Sequence, residues 1–214
     1  MSKKVVIFDL DGVIVTTDEY HYLAWKKIAD EEGLYFNREI NEKLRGVSRI
    51  ESLKIILSYS DKQYSDTEQE WLTDRKNDFY KRLLENISAE DILPGVNSFI
   101  SSLKQAGIKI AIGSSSKNAK IILRKIGLEK LFDAIVDGTD IKRSKPDPEV
   151  FLLAAKRLLT EPKECVVIED AEAGIDAALA AGMKAVGVGS AASYVKSTLK
   201  VSTLKQIEIV QVIA

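Results

Sequence analysis

Two aspartates, Asp9 and Asp11, follow the apolar run Val5 to Phe8, and Gly12 comes directly after them. Where an extended chain leaves a sheet, acids at alternate positions address the same space, and a glycine permits the sharp turn that follows. A second acidic pair, Glu169-Asp170, ends the apolar run Cys165 to Ile168 in the same way. An ordinary solvated turn would account for either pair alone, but not for the recurrence. Clustered carboxylates repel one another unless a cation is present. Hard oxygen donors without histidine or thiolate favour Mg²⁺ over zinc or copper. Magnesium keeps waters and takes substrate phosphate as well as carboxylates, so the expected chemistry is phosphoryl transfer. In such a site one aspartate attacks phosphorus to give an aspartyl phosphate, and an acid two residues on protonates the leaving oxygen. Asp9 and Asp11 suit those two roles. A calcium loop beginning at Asp9 fails on register, because Ile14 would stand where glycine is needed and Tyr20 where the bidentate glutamate is needed.

Two further features keep company with the acids. Ser114-Ser115-Ser116 follows a second apolar run and can donate hydroxyl and backbone hydrogen bonds to phosphate oxygens, the more so if a helix opens near Lys117. A serine-rich helix cap is the plainer reading. Lys145, in Lys-Pro-Asp-Pro, can supply a fixed positive charge, where the alternative is a solvated loop lysine.

These residues must be held by something. Five apolar runs read as buried strands: VVIF at 5–8, IKIAI at 108–112, AIV at 134–136, CVVI at 165–168 and AVGV at 185–188. Between the later runs, apolar residues recur at helical spacing: Val96, Phe99, Ile100 and Leu103; Ala119, Ile122, Leu123 and Ile126; Phe151, Ala154, Ala155 and Leu158; Ile175, Ala178 and Leu179. Alternation of this kind predicts a doubly wound α/β core with a parallel sheet covered on both faces. Ligands of such sheets bind beyond the carboxyl ends of the strands, which here carry Asp9 and Asp11, Ser114, Asp137, and Glu169 with Asp170. The alternation lapses between residues 16 and 87, which show helical patterning and predict an inserted helical domain, leaving 1–15 and 88–214 as the core. Within the insert, Ser48 and Glu51 have the spacing of a capping box ahead of the stripe Ile50, Leu53, Ile56 and Leu57. The tail from Ser190 is left unassigned: Val201, Leu204, Ile207, Val210 and Ile213 would suit a helix, yet QIEIVQVIA alternates like a strand.

Composition narrows the rest. The 214 residues carry 31 Lys and Arg against 32 Asp and Glu, so there is no global basic field for nucleic acid or an anionic membrane. A single cysteine, Cys165, excludes an internal disulfide and multi-cysteine zinc sites, and a single histidine, His21, excludes HExxH sites. Only four consecutive apolar residues precede Asp9, too few for a signal-peptide core, and a cytoplasmic protein is expected.

Taken together, DLDG at 9–12, Ser114, Lys145 before a proline, and Glu169-Asp170 resemble the motifs of the haloacid dehalogenase superfamily. The likeness runs from residue 4 to about 189. DEYHYLAWKKIA at 18–29, GVSR at 46–49 followed by Ser52-Leu53, RKN at 75–77 and SSSKN at 114–118 are similar to a sugar-phosphate mutase branch of it. The resemblance implies a Rossmann-like core with an α-helical cap domain at 16–87. It implies Asp9 as nucleophile and Asp11 as general acid and base, with Mg²⁺ held by Asp9, Asp170, the Asp11 carbonyl and, indirectly, Glu169. Ser114 and Lys145 would bind the transferring phosphoryl group, and Arg49, Ser116, Lys117 and Asn118 the distal phosphate. Gly46, Val47, Ser52 and Lys76 would line the sugar side, and His21 would influence Asp11. Trp25, Ser48 and Ser115 complete the expected substrate-binding set, although Trp25 also reads as core packing. The implied reaction interconverts β-D-glucose 1-phosphate and glucose 6-phosphate through β-glucose 1,6-bisphosphate, with the cap excluding water. A monomer acting on a small sugar phosphate, with neither nucleic acid nor membrane as partner, is expected. A sugar-phosphate phosphatase of the same superfamily is the nearest alternative, and a non-catalytic sugar-phosphate sensor the more distant one. Thr16-Thr17 departs from the Asp-Thr common at this junction and leaves the hinge in question.

Overall fold

The computed structural model describes residues 5–213, so the basic start, Met1 to Lys4, and Ala214 of the QIEIVQVIA run lie outside it. The chain divides into two compact units, one made of the residues up to Thr16 with those from Ser88 onward, the other of Thr17–Ile87.

In the first unit, the described residues contain six strands: β1 (Val5–Phe8), β2 (Lys109–Gly113), β3 (Ala134–Val136), β4 (Cys165–Glu169), β5 (Lys184–Val188) and β6 (Leu199–Val201). They form one sheet in the order β3-β2-β1-β4-β5-β6, and every pairing is parallel. The five apolar runs of the sequence are its first five strands. The sixth was not foreseen. It lies at the sheet edge, is three residues long and exposes Lys200, so it carries neither an unbroken apolar run nor enough alternation to stand out. After it the chain makes one turn at Leu204–Gln206 and a short helix at Ile209–Ile213, so the tail holds both a strand and a helix.

The second unit is helical: α1 (Asp18–Glu32), α2 (Arg38–Glu42), α3 (Arg49–Leu57) and α4 (Asp66–Leu83). Gly33, in the left-handed conformation at φ 62°, ends α1. Ser48 caps α3 by accepting from the Glu51 N–H at 3.3 Å, but Glu51 Oε1 accepts from Lys54 rather than reaching back. The complete capping box is at α4, where Ser65 and Glu68 bond reciprocally. Trp25, Ile28, Phe36, Leu53, Ile56 and Leu72 make this unit's core.

Around the sheet run α5 (Val96–Gln105), α6 (Ala119–Lys125), α7 (Glu149–Arg157) and α8 (Glu172–Ala180), the tail helix being α9. Strand residues alternate between two faces. Val5, Ile7, Ala111 and Val167 pack with Phe151 and Ala154 of α7 and with Ile175 and Ala178 of α8. Phe8 points the other way and meets Phe99 of α5 edge-on, ring centroids 6.1 Å apart. Each large side chain so buried contributes roughly 1.5–3 kcal/mol. None of the described helices is long and apolar enough to cross a membrane.

Candidate active site

Because β1 lies between β2 and β4, the order reverses on either side of it, and that is where an open α/β sheet makes its crevice. Phe8 pairs in register with Ile168, so the next residues along the chain, Asp9 and Glu169, stand side by side at the carboxyl ends of β1 and β4. The Asp9 N–H donates to the Ile168 carbonyl at 2.9 Å and extends the ladder by one rung.

Lys145 bridges these two acids. Its Nζ donates to Asp9 Oδ1 and, at 2.7 Å, to Glu169 Oε2, and the Lys145 and Glu169 side chains are each 1% exposed. Burial works against the Lys145 charge, but Asp9 and then Glu169 raise its pKa above the ordinary lysine value, so it stays an ammonium. Burial and the charge of Asp9 push the Glu169 carboxyl upward, against the pull of Lys145. The ring of Phe151 lies 4.8 Å from the ammonium.

Asp170 completes the cluster. One carboxylate oxygen from each of Asp9, Glu169 and Asp170 lies within 4.8 Å of the others. Asp170 lies over the turn after Asp11, where Gly12 has φ +79° and a β-carbon on it would fall 2.1 Å from Asp170 Oδ2. The turn is closed by Gly12 N–H donating to the Val15 carbonyl at 2.7 Å, with Asp11 bridged to Val15. Three carboxylates against one ammonium leave a formal excess of two negative charges in a buried space, the charge of one divalent cation. The donors are all hard oxygens, so the residues present fit Mg²⁺.

The serine loop follows β2. Ser114 is buried and its N–H extends the sheet to the Val136 carbonyl at 3.0 Å. Its Oγ accepts from the Ser116 N–H at 3.1 Å, and Ser116 Oγ in turn accepts from the Asn118 N–H at 3.2 Å. Ser115 Oγ is buried without a hydrogen-bond partner among the described residues, Lys117 is exposed, and Asn118 is the N-cap of α6, which begins two residues after Lys117. Asp137, at the end of β3, is absorbed by its own turn: Oδ1 accepts from the Thr139 N–H at 2.9 Å, and Oδ2 lies 3.2 Å from Lys120.

The remaining expected residues form a group within the helical unit. Lys76 is 2% exposed, its Nζ 2.8 Å from His21 Nδ1, 4.6 Å from the Tyr80 ring centroid and 5.2 Å from that of Trp25. An ammonium has only protons to give, so His21 Nδ1 accepts and its ring proton sits on Nε2. Burial, with Lys76 and Arg49 nearby, holds the His21 pKa well below 6.5. Trp25 is part of the unit's core and turns a ring face to Lys76. Gly46, at φ +74°, and Val47 lead into Ser48, whose carbonyl accepts from Ser52 Oγ at 3.0 Å. Arg49 is loosely held, 3.5 Å from the Thr73 carbonyl and 3.7 Å from Asp74.

Spacing had not marked Ser190, whose hydroxyl donates to the Asp170 carbonyl at 2.6 Å. It follows the fifth strand, and reading that strand's carboxyl end as the others were read would have found it. Nor had it marked Phe151, which looks like any core residue of an amphipathic helix.

A model of the family described as haloacid dehalogenase-like hydrolase matches residues 3–182. Beta-phosphoglucomutase of Bacillus subtilis is 50% identical over 188 residues, 87% of this chain and 83% of that protein. Phosphorylated carbohydrates phosphatase of Thermotoga maritima is 32% identical, covering 86% of this chain and 83% of its own length. Among solved structures, beta-phosphoglucomutase from Clostridium difficile superposes with a TM-score of 0.93 at 42% identity, covering 99% of this chain and 95% of that one. With its acids and lysine gathered at the carboxyl ends of neighbouring parallel strands and its sequence matched over most of its length, this chain belongs to the haloacid dehalogenase-like hydrolase family.

Proposed function

We propose that the chain acts as a β-phosphoglucomutase, interconverting β-D-glucose 1-phosphate and glucose 6-phosphate. The observation that carries the reading is Asp9, fixed by Lys145 beside Glu169 and Asp170, in a chain half identical to a protein of that name. Asp9 is the nucleophile. Its carboxylate attacks a phosphoryl phosphorus, the bond to the leaving oxygen breaks, and Asp11 delivers the proton that oxygen needs. In the second half Asp11 takes the proton from a sugar hydroxyl, which attacks the aspartyl phosphate and regenerates Asp9. Transfer passes through β-glucose 1,6-bisphosphate, which turns over so that one set of residues serves both ends of the sugar.

Lys145 and Ser114 hold the transferring group, and Ser116, Lys117, Asn118 and Arg49 the other phosphate. Gly46, Val47, Ser52, Lys76 and His21 address the sugar, with the helical unit working as a cap that keeps water from the aspartyl phosphate. Asp9, Asp170, the Asp11 carbonyl and Glu169 are the residues that would hold Mg²⁺. When bound, that ion neutralises charge on the phosphoryl oxygens.

The test is to supply β-glucose 1-phosphate with catalytic β-glucose 1,6-bisphosphate and Mg²⁺, and to follow glucose 6-phosphate and inorganic phosphate together. Glucose 6-phosphate is the expected product. Phosphate release as the dominant outcome would overturn the mutase reading in favour of a phosphatase like the Thermotoga relative.

A further inference from the structure

The Glu169 carboxylate lies directly against Gly174 of α8. A β-carbon on Gly174 would fall 2.0 Å from Glu169 Cδ, 2.1 Å from Oε2 and 2.4 Å from Cγ. Gly174 is helical and has no positive φ, so glycine is there for space and not for backbone freedom. A flexible carboxylate would simply move aside, but this one is tied at both oxygens. Oε2 accepts from Lys145 at 2.7 Å, Oε1 accepts from the Ala171 N–H at 3.2 Å, and the residue is buried. Lys145 cannot follow it, because its ammonium also holds Asp9 and is backed by the Phe151 ring.

We infer that Gly174 is a positioning residue: its bare α-carbon makes the slot that keeps Glu169 against Lys145, and through that pair it fixes the ammonium beside Asp9. The inference rests on the reading of Asp9 and Lys145 as the phosphoryl-transfer groups. Alanine suits a helix interior better than glycine, so α8 itself gains from the substitution and the displacement falls on Glu169.

The experiment is a double-mutant cycle with Gly174→Ala, Glu169→Asp and their combination in the full chain. Aspartate is one methylene shorter and withdraws its carboxylate from the space the new β-carbon claims. Gly174→Ala is expected to lower kcat for glucose 6-phosphate formation about 100-fold, because a small misplacement of reacting groups is costly. KM for β-glucose 1-phosphate should change less than about threefold, since the groups that address the sugar and the other phosphate are not touched. Glu169→Asp should cost far less in the Gly174→Ala background than in the wild-type one, and Mg²⁺ affinity measured by calorimetry should show the same coupling. An unchanged kcat for Gly174→Ala, or effects that simply multiply, would overturn the inference. If Gly174→Ala fails to fold, recovery on adding Glu169→Asp supports the slot and continued failure refutes it. If the wild-type chain forms no glucose 6-phosphate, the mutase reading fails, while coupling between positions 169 and 174 in Mg²⁺ affinity still decides this inference.

Discussion

Lys76 donates to His21 Nδ1 at 2.8 Å, so the one histidine of the chain is held neutral with its proton on Nε2. Being single, it can be read without assignment. Its ¹⁵N shifts should report the Nε2–H tautomer and no protonation near pH 6.5. The unfolded chain takes a proton at His21 near pH 6.5 and the folded chain only well below it, so this residue's contribution is whole above about 6.5 and is lost as pH falls below. His21→Gln keeps an acceptor for Lys76 and should flatten that part of the stability profile. A His21 titrating at 6.5 or above in the folded protein would contradict the geometry.

Lys145→Met should leave Asp9 and Glu169 facing each other without their ammonium. In the presence of a chelator, urea unfolding should show a loss of about 3–5 kcal/mol at pH 8, the usual effect of removing one partner from a buried ion pair. Lowering the pH to 6 should restore part of it, because the folded state then takes up a proton that relieves the repulsion. A loss that does not depend on pH would mean that the two carboxylates do not interact.

Tyr80 shares a buried hydrogen bond of 2.8 Å with Thr17 Oγ1, and its ring centroid lies 4.3 Å from that of His21, the planes tilted by 43°. Tyr80→Phe retains the ring and should destabilise the protein by about 1 kcal/mol, as should Thr17→Val. Together they should cost less than the sum of the two, because no hydroxyl is then left facing an apolar partner. Strict additivity in chemical denaturation would count against the bond.

Asp140 is pulled down to about 2, first by its hydrogen bond to Arg157 at 2.7 Å, then by the Asp137 N–H and the charges of Arg157 and Lys120. Its folded value lies below the unfolded 3.8, so the stability it adds is present above about pH 4 and disappears as pH falls toward 2. Asp140→Asn should therefore cost roughly 1–2 kcal/mol at pH 7 and only a small part of that at pH 2. Parallel unfolding curves for the two proteins at both pH values would refute it.

Much of the sheet was legible because a central parallel strand is apolar on both faces: Val5 to Phe8 and Cys165 to Ile168 are buried throughout. The acids at the ends of those strands were legible for the same reason, since charge placed directly after such a run marks where the chain leaves the interior. β6 was not, because an edge strand needs only one good face. Two contacts, one at Lys145 and one at Glu169, were also beyond reach. Neither the stacking of Lys145 over Phe151 nor the proximity of Gly174 has a sequence period, since both depend on helices α7 and α8 packing on one face of the sheet. Glu51 shows the converse, a motif with the right spacing whose side chain prefers Lys54.

The parallel pairing of β1 with β4 sets an order of events for a newly made chain. Val5 precedes its neighbours in the sheet, Lys109 and Cys165, by more than a hundred residues of chain. Contacts so distant in sequence form slowly, and a product truncated before Asp170 would carry Asp9 and Lys145 without the full set of acids beside them. The carboxylate cluster is therefore complete only once β4 has been made and has docked beside β1.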